Sequence, residues 1–285
     1  MLSLRPHFHA LGHWLLLGLL TCASHGSYGE KPLHLRLIDP QQVEPESTRH
    51  YYIRALELAL SKTATANEKL QFHFIDQSVG RERVRAMIMH DELDVMWSSS
   101  TREREEHLEA VKFNLLRGIN EYRFLLIRKQ DQARFKPIHD LEGLRKFTLG
   151  SGTHWSDTDI FRRHGFRVVT AWNHESLFRM LAAKRFDFMA RTYNEIQREI
   201  RERPELNLVV ENHLLLRYEQ PIYFFVHKNN QELARRLERG LQLAQADGSL
   251  GELFFSIEEF KDAWNALQHM DRTIIHLPTF DRDQD

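Results

Sequence analysis

The sequence has one cysteine, almost no net charge and a single long apolar run, and each scarcity excludes a class of protein. Cys22 is the only cysteine in 285 residues, so the folded chain relies on a hydrophobic core rather than on disulfides. The 39 basic and 40 acidic residues give a formal net charge of −1. The chain therefore lacks the excess of positive charge with which proteins attract nucleic acids and acidic membranes. No HExxH motif, cysteine nucleophile or phosphate-binding loop is present, so the sequence predicts neither a metal site nor a cofactor.

The N-terminal residues have a composition of their own. Arg5 is the only charged residue among residues 1–29, and "WLLLGLL" follows it at 14–20. A basic start, a short apolar core and small residues beyond it are typical of a secretory signal peptide, and the run is too short for an ordinary membrane span. We therefore predict that 1–29 is a signal peptide and that the mature protein is periplasmic. Thr21 before Cys22 is larger than the residue that usually precedes a lipidated cysteine, which argues against a lipid anchor.

Most of the remaining sequence alternates between short apolar runs and segments with helical periodicity. Before residue 100 the predicted order is strand, helix, strand, helix, strand, at 33–39, 47–63, 70–76, 80–92 and 93–99. The same alternation continues to about residue 248. Strands that alternate with helices form mostly parallel sheets joined by right-handed crossovers. The sequence thus predicts two α/β lobes with a cleft between them, followed by a polar, irregular tail at 266–285.

The stretch "WSSSTREREE" (97–106) follows a predicted buried strand and opens a helix. Unpaired N–H groups at a helix start carry partial positive charge, and the hydroxyls of Ser99 and Thr101 can donate to an anion. The guanidinium of Arg104 matches a carboxylate bidentately, while Trp97 offers a flat wall or a core side chain. This pattern indicates an anion site. The alternative is an ordinary helix cap with Arg104 pointing to solvent.

The stretch "GSGTHWSD" (150–157) repeats this arrangement in the second half of the chain. Its glycines allow a tight turn, and Thr153 and His154 stand where a helix begins, which favours an anion. The alternative is a capped glycine turn. Asp39 also follows a predicted strand, and ligands of open parallel sheets gather beyond the carboxyl ends of the strands.

A third candidate site is "ARTYNE" (190–195), where another predicted strand passes into a helix. Arg191 and Glu195 place a cation and a carboxylate near the strand end, with Thr192 beside Arg191. These side chains are candidates for ligand contact. Alternatively, Arg191 pairs with Glu195, or Glu195 complements the helix dipole.

Four segments together resemble one known family. They are "LDVMWSSSTREREEHLEAVKFN", whose Thr101 and Arg104 match a T-x-x-R motif, "DLEGLRKFTLGSGTHW", "AAKRFDFMARTYNE" and "ELARRLERGLQLAQADGSLGELF". In this order they resemble the type II extracytoplasmic solute-binding proteins of family 3, which serve amino-acid and related ABC importers. The resemblance runs from Leu33 to about Phe255, and "RTYNE" at the strand end resembles an uncharacterised subgroup.

The resemblance implies a type II periplasmic binding protein fold. Lobe 1 would comprise 30–120 plus 222–265, and lobe 2 would comprise 121–221. Two crossing strands near 118–124 and 214–222 would form a hinge that closes the lobes on a ligand.

The resemblance also assigns roles to the candidate residues. Arg104 would hold the carboxylate of a small ligand, assisted by Ser99 and Thr101. Thr153 and His154 would meet the same ligand from the other lobe. The implied partners are a carboxylate-bearing solute and the permease of an ABC importer, with the protein itself a monomer.

The sequence departs from the family at the ammonium site. Members that bind α-amino acids carry an aspartate five residues beyond the strand's Asp187, where this chain has Thr192. An ammonium would need Glu195 or Asp39 instead, and Arg191 adds a cation. A carboxylate-bearing ligand is predicted, but a standard α-amino acid is not.

Two other functions remain open at this point. A sensory module would present the closed form to a membrane receptor. A dehydratase-type enzyme on the same fold would need an acid or base in the cleft, for which Asp39, His154 and Glu195 are the candidates. We favour a binding protein without catalytic residues.

Overall fold

The computed structural model describes residues 31–39, 46–75 and 80–278. The predicted signal peptide and residues 279–285 lie outside this part of the chain. Strands and helices alternate through the described residues, and the buried hydrophobic side chains form cores in two lobes. The predicted two-lobed α/β class is therefore confirmed.

Lobe 1 contains a two-stranded and a three-stranded sheet covered by helices. Its strands are β1 (Lys31–Ile38), β2 (Glu68–Ile75), β3 (Met96–Ser99), β4 (Leu108–Val111) and β11 (Ile222–His227). Its helices are α1 (Glu46–Ser61), α2 (Arg81–Met89), α3 (Arg102–His107), α9 (Gln231–Ala246) and α10 (Ser249–Phe255). The Arg36 side chain in β1 binds Asp94 just before β3, with Nη2 2.7 Å from Oδ1, which holds the two sheets side by side.

Lobe 2 is built on one seven-stranded sheet with the order β12-β10-β5-β8-β6-β7 and β9 on β5. Its strands are β5 (Tyr122–Arg128), β6 (Thr148–Gly152), β7 (Arg167–Ala171), β8 (Phe188–Arg191), β9 (Leu208–Val210), β10 (Leu214–Arg217) and β12 (Thr273–His276). Its helices are α4 (Gln132–Phe135), α5 (Leu141–Arg145), α6 (Ser156–Arg163), α7 (His174–Ala182) and α8 (Tyr193–Arg201). A last helix, α11 (Glu258–Gln268), precedes β12.

Parallel pairing occurs where helices connect the strands, in β1–β2, β6–β7, β6–β8 and β10–β12. Every antiparallel pair among the described strands includes β5 or β11. These are the strands that the chain enters after crossing between the lobes, at 112–121 and 218–221. A chain that arrives from the hinge needs no helical crossover, so it can run against its neighbours.

Helix α1 shows how the apolar stripe of the sequence becomes a core. Tyr51, Leu56 and Ala59 are completely buried, and the stripe faces α9. The two helices approach so closely at Gly240 that a Cβ there would collide with the carbonyl oxygen of Ala59. Glycine is therefore required at this contact for steric reasons.

The C-terminal prediction was wrong for most of the described tail. Helix α11 continues to Gln268, and β12 pairs in parallel with β10, with Leu214 opposite Thr273. Ile275 and Leu277 are each 3% exposed and belong to the lobe 2 core. The apolar run is short and flanked by polar residues, so its sequence gives little sign of the strand; the free edge of β10 supplies the partner.

Candidate functional site

The end of β3 carries the first group of candidate residues. Trp97 lies opposite Phe224, and Ser99 opposite Ile222, in the antiparallel pair with β11. The Trp97 ring stacks on Tyr52 of α1, with ring centroids 5.2 Å apart and planes inclined by 21°. Trp97 is half-buried at the margin of the lobe 1 core, so packing against that core accounts for one of its faces.

Helix α3 places Arg104 inside the protein. Thr101 caps the helix, because its Oγ1 accepts the N–H of Arg104 at 3.2 Å, as in the alternative reading. Arg104 does not point to solvent: it is 9% exposed, its Nη1 donates to the Ser99 carbonyl, and its guanidinium lies 5.8 Å from the Phe225 ring centre. The Arg104 guanidinium is therefore buried at the end of β3, where we expected the ligand to bind.

The second group lies between β6 and α6. The Thr153 N–H donates to the Ala171 carbonyl at 3.0 Å, and its buried Oγ1 has no hydrogen-bond partner among the described residues. His154 is exposed, with its ring 4.3 Å from that of Trp172, which is 81% exposed. Gly152 is needed here because the Trp155 ring occupies the space that a Cβ would fill.

One short segment joins these two groups. The Pro221 carbonyl accepts the N–H of Ser100 at 2.8 Å, next to the pairing of Ser99 with β11. The adjacent Gln220 donates through Nε2 to Ser156 Oγ at 2.8 Å and to Asp157 Oδ1 at 2.6 Å. Neighbouring residues of the hinge therefore hold both candidate anion sites.

A buried polar network surrounds Arg123 at the hinge. This network was not predicted from the sequence. The Arg123 Nε lies 3.1 Å from Asp157 Oδ2, and its Nη groups donate to the Asn120 carbonyl and to Gln220 Oε1. Tyr218 donates to the same Asp157 oxygen at 2.8 Å and packs its ring 4.9 Å from the guanidinium. Burial lowers the pKa of Arg123, but these neighbours more than compensate and raise it. The one sequence signal is an arginine within the apolar run of β5.

The charged side chains of the third candidate group, at 190–195, form ion pairs within the protein. Arg191 is 7% exposed and binds both carboxylate oxygens of Glu199, with Nη2 2.5 Å from Oε1 and Nε 2.9 Å from Oε2. It also lies 3.1 Å from Glu195, as in the pairing alternative, and 4.5 Å over the Trp155 ring. Glu199 was not predicted; its four-residue spacing from Glu195 on an amphipathic helix was the available signal.

Thr192 and Glu195 form a capping box at the start of α8. Glu195 Oε2 accepts the Thr192 N–H at 3.1 Å and its hydroxyl at 2.7 Å. Thr192, where the resemblance led us to expect an aspartate, therefore forms part of a helix cap. Asp39 follows β1, and its N–H donates to the Ile75 carbonyl at 3.0 Å, so it lies at the carboxyl edge of β1 and β2.

The electrostatics of Glu195 are set by two arginines. Burial tends to raise the pKa of Glu195, but Arg191 and Arg123 outweigh it, helped by the hydrogen bonds from Thr192, and lower the pKa to about 2. The carboxylate is ionised at neutral pH, and its side chain remains 37% exposed. It is thus the most accessible anion of this group.

The Glu195 carboxylate should stabilise the fold in a pH-dependent way. A folded-state pKa of about 2 lies below the ordinary value of 4.5, so the stabilisation is complete above about pH 4.5 and declines towards pH 2. Glu195→Gln keeps an acceptor for the cap. We expect the difference in unfolding midpoint between wild type and Glu195→Gln to be constant from pH 7 to 5 and to shrink towards pH 3. A difference independent of pH would contradict this assignment.

Among the residues that the structure describes, no group of three or more His, Cys, Asp or Glu residues is arranged to hold a metal ion. None of the described helices is both long and apolar enough to span a bilayer.

The fold is similar to that of solved solute-binding proteins. An ancestral arginine-binding protein bound to arginine has a TM-score of 0.52 at 17% sequence identity, over 79% of this chain and 97% of its own. An amino-acid ABC transporter substrate-binding protein from Streptococcus pneumoniae, bound to L-arginine, has a TM-score of 0.50 at 15% identity, over 75% of this chain and 84% of its own.

The fold is also similar to that of a sensor domain from a signalling protein. A histidine kinase sensor domain with similarity to periplasmic binding proteins has a TM-score of 0.51 at 16% identity, over 73% of this chain and 85% of its own. No protein-family profile and no curated protein matches the sequence. The comparisons establish the fold, and the function has to be argued from the site.

Proposed function

We propose that this chain is a periplasmic solute-binding protein of the family 3 type, which captures a small carboxylate-bearing solute between its lobes and delivers it to an ABC importer. Capture involves no chemical turnover. The observation that carries the proposal is the hinge segment 220–222, because it contacts both the strand end that holds Arg104 and the start of α6. Groups from both lobes can therefore converge on one ligand when the hinge closes.

Thr153 supports this placement of the ligand. A buried hydroxyl without a hydrogen-bond partner costs about 1–3 kcal/mol, and Thr153 Oγ1 is in this position. A carboxylate beside it would accept that hydrogen bond together with the first N–H groups of α6, whose partial positive charge favours an anion. Arg104 would provide the opposing cation from lobe 1.

The charges of lobe 2 narrow the ligand class. Arg191 is neutralised by Glu199 and Glu195, so it is not the carboxylate receptor in this proposal. Glu199 is 1% exposed, whereas Glu195 keeps 37% of its side chain exposed. A cationic group on the ligand would meet Glu195. The proposed ligand is amino-acid-like or a related small carboxylate. Its ammonium group would bind Glu195 and not an aspartate like that of the family 3 proteins.

Binding through Arg104 can be tested with one matched pair of variants. Loss of its charge-assisted hydrogen bonds should cost about 1.5–3 kcal/mol, which weakens binding roughly 10- to 150-fold. Arg104→Ala should therefore strongly reduce the thermal shift that amino acids, dicarboxylates or short peptides produce, measured against the variant's own unliganded midpoint. Arg102→Ala is the control, since Arg102 lies two residues away but is half-exposed and paired with Glu106 at 3.0 Å. A ligand that binds Arg104→Ala undiminished would overturn the site.

The likeness to a sensor domain favours a second candidate function, in which a membrane receptor recognises the closed, liganded form. A deletion strain separates the two functions. Transport predicts that uptake of the ligand falls when this chain is removed, while sensing predicts unchanged uptake and a lost transcriptional response.

A further inference from the structure

A cavity of about 330 Å³ lies at the hinge, apart from the candidate cleft residues. Its lining comes from both crossing segments and from α11, and includes Arg117, Glu121, Tyr122, Arg217, Trp264 and Leu267. None of the residues assigned to the cleft contributes to it. The volume is at the lower end of the range for small-molecule sites.

Helix α11 lines the cavity and makes a third connection between the lobes. Phe260 and Ala263 are buried in the lobe 1 core, Leu267 packs against both cores, and Met270, just beyond the helix, packs against the lobe 2 core. The chain then continues into β12 of the lobe 2 sheet. A molecule in the cavity would therefore contact all three connections at once.

Arg117 gives the cavity a cationic wall. Its guanidinium carbon lies 5.6–5.9 Å from the ring centres of Trp264, Phe254 and Phe255, and it forms no ion pair with a described residue. Its backbone is left-handed, with φ 53°, as at Asp91, Lys184 and Asn207, and Gly118 follows with φ 86°.

Among the residues that line the cavity, arginines outnumber carboxylates. Glu121 accepts a hydrogen bond from Asn114 Nδ2 at 3.2 Å and lies 3.6 Å from Arg217. Burial raises the pKa of Glu121; Arg217 offsets part of the effect, and Glu219, which does not line the cavity, adds to it. The lining thus carries two guanidiniums and one carboxylate, beside an apolar surface from Ile119, Trp264 and Leu267.

We propose that this hinge cavity is a second ligand site, which binds a small monocarboxylate with a flat or branched apolar body. The carboxylate would lie against Arg117 and Arg217, where its charge balances the excess cation. The body would pack between Trp264 and Leu267, and about ten heavy atoms would fill the available volume. This proposal does not depend on what the cleft binds.

The probes are benzoate, 3-phenylpropanoate and 4-methylpentanoate, each titrated calorimetrically into the mature protein beside its neutral amide. We expect at least one acid to bind about tenfold more tightly than its amide, because a charge-assisted hydrogen bond is lost in the amide. Failure of all three acids to bind at 10 mM (roughly 2.7 kcal/mol of binding free energy) would overturn the proposal.

Gln268, an exposed lining residue at the end of α11, allows a charge test that spares the core. Gln268→Glu should weaken the acid several-fold and Gln268→Lys should strengthen it, while the amide responds to neither. Leu267→Trp, which fills the cavity, should abolish binding. Arg104→Ala should leave it unchanged. If Arg104→Ala removes binding while both Gln268 variants leave it unchanged, the acid occupies the cleft and the hinge site is refuted, whether or not the cleft proposal holds.

Discussion

Replacing Arg123 by methionine should lower the free energy of unfolding by about 3–5 kcal/mol, because it leaves a buried carboxylate without its cation. Asp157 is 14% exposed and Arg123 6% exposed in this pair. Tyr218 and Gln220 would still donate to Asp157, but neither carries a compensating charge. Urea unfolding at pH 7 measures the loss.

Two further variants isolate the cause. Arg123→Met combined with Asp157→Asn removes the stranded charge, so it should recover part of the lost stability. Arg162→Met is the control, because Arg162 lies on α6, the helix that carries Asp157. Its contact with Asp159 at 3.3 Å is solvent-exposed and should be worth less than about 1 kcal/mol. A loss at Arg123 no larger than that at Arg162 would show that the hinge network does not stabilise the fold.

Replacing Arg191 by methionine should be equally damaging, at about 3–5 kcal/mol. Glu199 is 1% exposed and receives two guanidinium nitrogens from Arg191. In the variant, the Glu199 carboxylate would keep its contact with His174 Nε2, which lies 3.1 Å from Oε1. The substitution also removes the stacking of Arg191 on Trp155. The measurement is again urea unfolding at pH 7.

This second variant also separates folding from binding. If Arg191 acts only within the protein, ligand affinity of the surviving folded fraction should change far less than it does in Arg104→Ala. Arg198→Met is the control, because Arg198 lies on α8 beside Glu199 and its contact with Glu202 is 3.8 Å long and exposed. A selective loss of ligand affinity with normal stability would return Arg191 to the list of ligand-binding residues.

The elements that the sequence predicted well share a strong local pattern. Helices α1, α8 and α9 combine an apolar stripe with terminal signals, and β5 contains the buried apolar run 124–127. The elements that it missed are short. Strands β4 and β12 have four residues each, and such strands depend on a partner edge that is distant in sequence.

The candidate site divides in the same way. Turn chemistry and residue type identified the stretches around Arg104, Thr153 and Arg191 as places where charge or hydroxyls gather. They did not show that Arg191 pairs with Glu199, or that Gln220 joins the two candidate anion sites. Those contacts link residues that lie 8 and about 64 positions apart.

By itself, the sequence determined the alternation of strands and helices, the dependence on a hydrophobic core and the positions where helices begin, since each follows from periodicity, composition or caps within a few residues. The tertiary structure alone decided which charges are satisfied internally, which hydroxyl is left without a partner and how the C-terminal strand joins lobe 2. The reason is physical: the free energy of a buried charge or hydroxyl depends on the groups around it in space, and the chain brings those groups together only when it folds.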